Sequence, residues 1–499
     1  MTSLGSEELR DRAPVADGAD PPTALLRDVV GRASQRCRYA EARWVDRRAE
    51  ELGVVNGHPR ELAQESSRGV GIRVLAGSGW GLSATADVSP AGLGRALDRA
   101  LAIAGTQPAG PELSLPPVRP AIGQWSSPCR EDPSTISLET KLALLVEADA
   151  ALRTDRRVVR SEAECLSVVT RRALVTSDGT CCGQTVTECG AGIRAFAVED
   201  GDVQVRSYPG AHGAGVAAAG WEHVRALDLP GQAPRVGEEA VALLSAPACP
   251  SGRKAVILHD EQLALQIHES IGHALELDRI LLGEASYAGT SWVEAGDIGG
   301  LRYGSDLLEV TADATLAGGL GTFAWDDEGV PAARRTLIAG GVLEGALSDR
   351  TSAAALGLQA SGGCARADGF ARQPIVRMTN VSLEPGEAGT LEDLIADTSD
   401  GLYLEGNRSW SIDDRRLHFQ FGTEMAREIK RGRLGRLYRN ASYAGVTPTF
   451  WGSLDAVCSA KAWRLWGVLN CGKGEPGQIM HVSHGAAPAR FRDTEVGVA

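Results

Sequence analysis

The sequence predicts an α+β protein in which mixed and antiparallel sheets pack against helices in two domains. Alternating, β-branched segments run from Val158 to Tyr208 and are separated by Asp-Gly turn signals, which is typical of an antiparallel meander. Other segments place apolar residues three or four positions apart, as amphipathic helices do. A glycine-rich, strand-like stretch follows between about 292 and 385. At 499 residues the chain is long enough for two or three domains and a large core.

Composition and charge exclude several classes of protein. Hydrophobic residues make up 43% and charged residues 23% of the chain, as in globular proteins. The net charge of −13 argues against a nucleic-acid partner. We expect no membrane partner, because no apolar run reaches about 18 residues. The first residues lack an apolar segment, so we expect no signal peptide and a cytoplasmic location. The ten cysteines are scattered, and in the cytoplasm they should be reduced.

The first half of the chain divides into a tail and a domain. Residues 1–22 are polar and end in Pro-Pro, which predicts a disordered tail. An N-terminal domain is expected over residues 23–235, with helices that begin after Ser89 and Ser137. Residues 106–136 are rich in Pro and Ser and are expected to form a linker or a long surface loop.

The second half, residues 236–499, is expected to form a β-rich C-terminal domain. A buried strand, Lys254–His259, leads into a helix that carries two histidines. Residues 453–465 are expected to be helical, and Leu469–Gln478 is expected to be a glycine-rich loop. The basic run 427–439 is a candidate for steering an acidic partner, although such runs are more often a solvated helix face or a subunit contact.

The central motif is Ile267–Asp278, which reads I-H-E-S-I-G-H-A-L-E-L-D. Its apolar residues recur at helical spacing, and Asp260 is expected to cap the start of the helix. His268 and His273 bracket Glu269. This combination is typical of metal-dependent hydrolases, in which neutral imidazoles bind a zinc-like cation and the carboxylate acts on the water that the metal holds.

The spacing of the two histidines is unusual. They lie five positions apart, which separates them by about 140° around a regular helix. A one-residue π-bulge would bring them onto one face, and such bulges tend to occur at functional sites. Gly272 is the expected place for this distortion. On the motif alone, a pair of buried histidines with purely structural roles remains an equal alternative to a pair of ligands.

A set of segments spread over about half the chain in a consistent order resembles the TldD/PmbA family of metallopeptidases, specifically its metal-bearing TldD side. A looser match covers Gly69 to Ala86. The segments that carry the resemblance are His268–His273 with Glu276 and Asp278, Asp326–Val330, Gly362–Arg366, Pro374–Asn380, Phe421–Met425 and Asn470–Lys473.

The resemblance implies a TldD/PmbA-like two-domain architecture and a third metal ligand, a cysteine in a Cys-Gly-Lys context. This cysteine is Cys471. With His268 and His273 it would leave one open position, as in a catalytic zinc site. A thiolate favours Zn²⁺ over Mg²⁺ or Ca²⁺, and Fe²⁺ is the alternative metal. Glu269 would act as the general base.

From the residues alone, other cysteines remain candidates for the third ligand. Any of the ten is possible, and Cys458 is the main rival, although it lies in a segment expected to be helical. Cys181 and Cys182 are adjacent, so a strand would direct them to opposite faces.

Four further residues are candidates for a role in the site. His481 and His484 follow the Cys-Gly-Lys segment and could supply oxyanion donors or substrate contacts, but core or surface roles are more common. Asp326 and Asp327 could pair for acid–base chemistry, but a turn role is at least as common.

The resemblance implies a metallopeptidase that hydrolyses small unfolded peptides through a metal-bound water activated by Glu269. The expected assembly is a dimer, formed by two copies of this chain or with a metal-free TldD/PmbA paralogue. One alternative is metal-dependent maturation of a peptide natural product or biosynthetic intermediate. Another is a non-catalytic partner or modulator subunit, against which the intact set of His268, Glu269, His273 and Cys471 argues. The substrate peptide and its cleavage site stay open.

Overall fold

The computed structural model describes residues 20–108, 110 and 113–497, so most of the predicted disordered tail lies outside the described residues. No helix in the described ranges is both long and apolar enough to cross a membrane. The α-helices of this part of the chain, in order, are α1 Thr23–Ala33, α2 Pro90–Gly105, α3 Leu138–Leu152, α4 Trp221–Leu227, α5 Leu229–Ser245, α6 Asp260–Ile267, α7 Leu277–Ile280, α8 Arg350–Ala355, α9 Leu391–Ala396 and α10 Thr447–Gly452.

The strands form two large sheets and three small ones. In chain order they are β1 Tyr39–Val55, β2 His58–Ala76, β3 Gly79–Thr85, β4 Ile122–Ser126, β5 Val158–Thr176, β6 Cys181–Glu199, β7 Asp202–Tyr208, β8 Val216–Ala217, β9 Gly252–Leu258, β10 Val310–Asp313, β11 Arg334–Ala339, β12 Val342–Leu343, β13 Ala365–Arg366, β14 Ile375–Val376, β15 Val381–Leu383, β16 Asp400–Ile412, β17 His418–Lys430, β18 Arg433–Tyr438, β19 Ala441–Val446, β20 Leu454–Val457, β21 Arg464–Lys473, β22 Gln478–Ala486 and β23 Ala489–Gly497.

The N-terminal sheet has the order β3-β2-β1-β5-β6-β4, with β7 and β8 also paired to β6. The predicted meander from β5 to β7 is confirmed. On one face, apolar residues of β1 pack under α1 and α2 near Trp44 and under α3 and α5 near Val54. The predicted domain boundary between residues 235 and 236 falls inside α5. Strand β4 was not predicted; it is short and mostly exposed, so its pattern carries no apolar alternation.

The C-terminal half is built around a ring of five strands. The order is β16-β9-β23-β19-β17, and β17 pairs with β16 again, so the sheet closes into a barrel. Strands β18 and β20 pair outside the ring. All eight residues of α6, which follows β9, are buried. The α+β fold class is confirmed, with mixed and antiparallel sheets packed against helices.

Three local predictions for this half are wrong. The segment 453–465 is not helical, because Leu454–Val457 is a strand that pairs with β23. The basic run 427–439 lies on the β17–β18 hairpin rather than on a helix. The expected loop Leu469–Gln478 is mostly extended, because Cys471 and its neighbours pair with β22. In each case strand pairing decides the conformation over the local pattern, within a hairpin for β18 and β21 and with a distant strand for β20.

Candidate metal centre

The helix α6 changes its winding at the motif. A π-helical turn covers His268–Gly272, and the amide of His273 bonds the carbonyl of His268, five residues back. The predicted π-bulge is therefore confirmed. Two side-chain hydroxyl groups satisfy carbonyls in this region: Ser270 Oγ donates to Gln266 O at 2.6 Å, and Tyr303 Oη donates to Ser270 O at 2.5 Å. These hydrogen bonds stabilise a turn that would otherwise leave buried acceptors unpaired.

Gly272 lies within the turn, as predicted. Glycine is needed there because a side chain would not fit, and not because of the backbone torsion angles. Its φ of −53° is ordinary for a right-handed helix. A Cβ atom at this position would lie 2.2 Å from Met378 Sδ. The predicted cap is wrong: His259, not Asp260, is the N-cap residue, and its Nδ1 lies 3.3 Å from the amide nitrogen of Glu261.

Three possible ligands converge after the turn. Ligand atoms of His268, His273 and Cys471 all lie within 4.8 Å of one another. The Cys471 Sγ atom is 3.6 Å from His273 Nε2. A tetrahedral zinc ion with bonds of about 2.3 Å to sulfur and about 2.05 Å to nitrogen would hold these atoms about 3.6 Å apart. All three side chains are buried, so the donors and their spacing fit a zinc-type cation.

Hydrogen bonds behind the histidines determine which nitrogen is free. The carbonyl of Val381 can only accept, so His484 Nδ1 donates to it at 2.8 Å. His484 Nε2 then accepts from His268 Nδ1 at 2.8 Å. The carboxylate of Glu276 accepts from His273 Nδ1 at 2.9 Å. Both His268 and His273 therefore keep an Nε2 lone pair for a ligand bond, which is the usual supporting pattern at metal sites.

A buried charge cluster holds Glu276 in place. Lys473 donates to Asp278 at 2.7 Å and to the carbonyl of Val376 at 2.6 Å, and its Nζ lies 3.4 Å from Glu276. Burial acts to raise the pKa of Glu276, but the charges of Lys473 and His273 hold it well below its usual range. The Cys-Gly-Lys segment thus contacts the motif twice, through Cys471 and through Lys473.

The surroundings favour the metal-binding protonation states. Burial lowers the pKa of His268 to about 4 and also lowers that of His273. Burial acts to raise the pKa of the Cys471 thiol, but the charge of Arg377 and the contact with His273 lower it below its ordinary value. Neutral imidazoles and an acidic thiol are the forms that bind a metal.

Glu269 is held by an arginine that the sequence did not point to. Arg416 Nη1 donates to Glu269 Oε2 at 2.6 Å. Arg416 follows β16 and adopts a left-handed φ of 63°. Among the described residues, the other oxygen of Glu269 has no hydrogen bond. No motif marks Arg416, since it lies in a hairpin turn 147 residues from Glu269.

The other predicted candidates either support one of the proposed ligands or lie elsewhere in the molecule. His484 supports His268, and His481 pairs with Glu188 of the N-terminal sheet at 2.5 Å. Asp326 accepts from backbone amides within its own turn, and Asp327 faces arginines of the N-terminal sheet. These aspartates therefore have structural roles.

The other candidate cysteines do not lie with His268, His273 and Cys471. Cys458 is buried in a loop after β20, and burial raises the pKa of its thiol to about 12. Cys181 and Cys182 lie on β6, where Cys182 is buried and Cys181 is not.

A helix with two imidazoles, an adjacent carboxylate and a converging thiol is the arrangement of a metal-dependent hydrolase. Family models described as the first, central and C-terminal domains of the PmbA/TldA metallopeptidases match residues 40–104, 131–246 and 251–497. The chain therefore belongs to the PmbA/TldD metallopeptidase family.

Relatives agree with this assignment over nearly the whole chain. A metalloprotease of Methanothermobacter thermautotrophicus is 29% identical over 475 residues, covering 95% of this chain and 99% of the relative. A metalloprotease TldD homolog of Haemophilus influenzae is 25% identical and covers 89% of each chain. A Thermotoga maritima structure, described as a proposed modulator of a DNA gyrase, shares the fold with a TM-score of 0.73 and 16% identity, over 95% of this chain and 99% of its own.

Proposed function

We propose that this protein is a metallopeptidase that hydrolyses small unfolded peptides, with a metal held by His268, His273 and Cys471. The observation that carries the proposal is the convergence of two Nε2 lone pairs and one thiol beside Glu269. The membership in a metallopeptidase family supports it. The thiol and imidazole donors favour Zn²⁺, with Fe²⁺ as the second choice.

When bound, a zinc ion in such a site lowers the pKa of a coordinated water from about 15.7 towards about 7. Glu269 takes the proton of the attacking water through its free oxygen and passes it to the leaving amine nitrogen. Arg416 holds the second oxygen of Glu269 and so orients the carboxylate. His484 and Glu276 keep the ligand rings in their tautomers.

The burial of the centre supports an unfolded peptide as the substrate. His268 is 3% and Glu269 is 6% exposed, so a folded protein surface cannot reach them. An extended segment can enter such a site and be held through its backbone. We propose a dimer as the active unit, formed with a second copy or with a metal-free paralogue, and a cytoplasmic location.

Elemental analysis of the purified protein beside His268→Ala and Cys471→Ala tests the ligand set. We expect one metal per chain in the unaltered protein and its loss in both variants. A mixed library of unstructured decapeptides, followed by mass spectrometry, tests the reaction. Hydrolysis yields two fragments whose masses together exceed the substrate by one water. Products of another kind, or cleavage that survives in Glu269→Gln, would contradict the proposal.

A further inference from the structure

His212 lies on a loop of the N-terminal half that reaches the metal-bearing elements. The loop joins β7 to β8. The amide of Ala211 donates to Glu261 Oε1 at 3.2 Å, in the first turn of α6. The amide of Leu469, two residues before Cys471, donates to the carbonyl of His212 at 3.3 Å. The loop is therefore anchored both to the helix that leads to His268 and to the strand that carries Cys471.

A continuous chain of buried side chains links His212 to the π-turn. Every group in the chain can donate to the next, and the last group, Ser270, bonds the carbonyl of Gln266. The donor–acceptor distances are 3.0 Å from His212 Nε2 to Asn407 Oδ1, 3.3 Å from Asn407 Nδ2 to Gln262 Oε1, 2.9 Å from Gln262 Nε2 to Tyr443 Oη, 3.0 Å from Tyr443 Oη to Gln266 Oε1, and 3.0 Å from Gln266 Nε2 to Ser270 Oγ.

This chain determines the tautomer of His212. Because the Asn407 Nδ2 group donates onward, its Oδ1 accepts, and His212 Nε2 must carry the hydrogen. Burial lowers the pKa of His212, so the ring is neutral and Nδ1 has a lone pair. The ring packs edge-to-face on Trp410 with centroids 4.7 Å apart, which fixes its orientation. The backbone φ of His212, 56°, lies in the left-handed region that few non-glycine residues adopt.

His212 also borders a cavity. It lines a cavity of about 210 Å³ together with Leu469 and the glycine-rich loop. No hydrogen bond of the described residues uses its Nδ1 atom. The charges that act on the ring are those of Arg194 and Glu269, and Glu269 is the base of the proposed reaction. An oriented, neutral imidazole with an unused Nδ1 acceptor therefore borders this cavity, on a loop that is bonded to the strand of Cys471.

We propose that Nδ1 of His212 accepts a hydrogen bond from a backbone N–H of the peptide substrate. A neutral Nδ1 lone pair cannot bind a carbonyl or carboxylate oxygen, whereas an extended peptide offers an N–H at nearly every residue. His212 is thus a substrate-contacting residue supplied by the N-terminal half to a metal centre in the C-terminal half. The assignment rests on the proposed peptidase function.

Binding without turnover tests the contact. A fluorescein-labelled mixture of unstructured decapeptides is titrated with the Glu269→Gln variant, with and without His212→Phe, which keeps a ring against Trp410 and removes both nitrogens. We expect about tenfold weaker binding with His212→Phe and unchanged metal content, with a somewhat lower unfolding midpoint because Asn407 Oδ1 loses its donor. His58→Gln, an exposed histidine on the β1–β2 hairpin, is the control and should bind as before.

Two results would overturn the assignment. One is binding within twofold of the reference, and the other is loss of metal in His212→Phe, which would make the residue structural. Absence of hydrolysis by the unaltered enzyme would count against the proposed function, whereas equal peptide binding counts against the contact alone.

A second variant tests the tautomer. Asn407→Asp places a carboxylate beside Nε2, which raises the pKa of the imidazole and protonates Nδ1 at a higher pH. A protonated Nδ1 cannot accept, so peptide binding should weaken at a higher pH than in the reference as the pH falls. The shift should vanish when His212→Phe is added. A shift that persists in the double variant would contradict the contact.

Discussion

The histidines at the two ends of α6 have pKa values shifted in opposite directions. At the start, His259 lies 2.9 Å from Asp260 and near Glu405; although burial acts against its charge, these carboxylates raise its pKa to about 9. At the end, burial lowers the pKa of His268 to about 4, and its neighbours are the neutral rings of His484 and His273. His259, with the carboxylates of Asp260 and Glu405 beside it, becomes charged, whereas burial keeps His268 neutral among uncharged rings.

The charges around the two ends are also arranged differently. At the start, Arg206 pairs directly with Glu239, Glu405 and Glu424, at 2.9, 2.5 and 3.2 Å. At the end of the helix, Lys473 pairs with Glu276 and Asp278, and this charge cluster lies behind the ring of His273. The paired end stabilises the fold, while the layered end leaves ligand atoms free for a metal.

The largest effect is expected when a proposed metal ligand is removed. Cys471→Ala should lose the metal and lower kcat/KM for peptide hydrolysis by ~10³-fold or more, because several kcal/mol of transition-state stabilisation depend on the metal. Cys458→Ala removes another buried thiol and should keep both metal and activity. Equal metal content in the two variants would show that Cys471 is not a ligand.

The next largest effect is expected when the ion pairs at the start of α6 are broken. Arg206→Met leaves Glu405 and Glu424 without their cation, and one of these glutamates is almost fully buried. Breaking a buried pair in this way costs about 3–5 kcal/mol of unfolding free energy, measured by denaturant titration. The folded fraction should still bind one metal per chain. Loss of metal at full stability would mean that the two ends are not separate in function.

A pH titration of metal-free protein sharpens the contrast. His268 has a folded-state pKa near 4 against 6.5 ordinarily, so its contribution to stability is present above pH 6.5. That contribution, about 3 kcal/mol, is lost as the pH falls towards 4. His259 has a raised pKa, so its contribution is present below pH 6.5 and is lost as the pH rises through about 9. His268→Gln should remove the loss of stability that occurs as the pH falls below 6.5. His259→Gln should remove the loss that occurs as the pH rises towards 9.

The smallest effect concerns the support of a ligand. Glu276→Gln keeps the shape of the side chain, but its amide can donate, and it removes the charge partner of Lys473. The loss of orientation at His273 should weaken metal affinity about 10–100-fold, measured by competition with a chelator. Glu392→Gln, on the first turn of α9, is the matched control. An unchanged metal affinity would contradict the supporting role.

The sequence predicted the parts of the site that are local. A five-residue spacing conflicts with 3.6 residues per turn, and the π-turn at His268–Gly272 resolves the conflict as expected. The partners of the motif were not local. His484 lies 216 residues from His268, and Arg416 lies in a turn that carries no motif. Their roles depend on sheet pairing that short patterns do not specify.

The errors in the fold have a related cause. Leu469–Gln478 contains three glycines and was expected to be a loop, yet β21 continues to Lys473 because β22 pairs with it. The helix expected over 453–465 is replaced by β20, which pairs with β23. Strand pairing decided both regions: β21 pairs with the next strand in a hairpin, in which Lys473 faces Gln478, and β20 pairs with the distant β23, in which Leu454 faces Phe491.

The closed ring of strands also has a consequence for biosynthesis. Strand β23 lies between β9 and β19, so the ring of strands cannot close until residues 489–497 have emerged from the ribosome. Domains assemble as units during translation. A nascent chain that already contains both histidines therefore lacks a closed ring, and the proposed peptidase activity should arise only after the ring has closed.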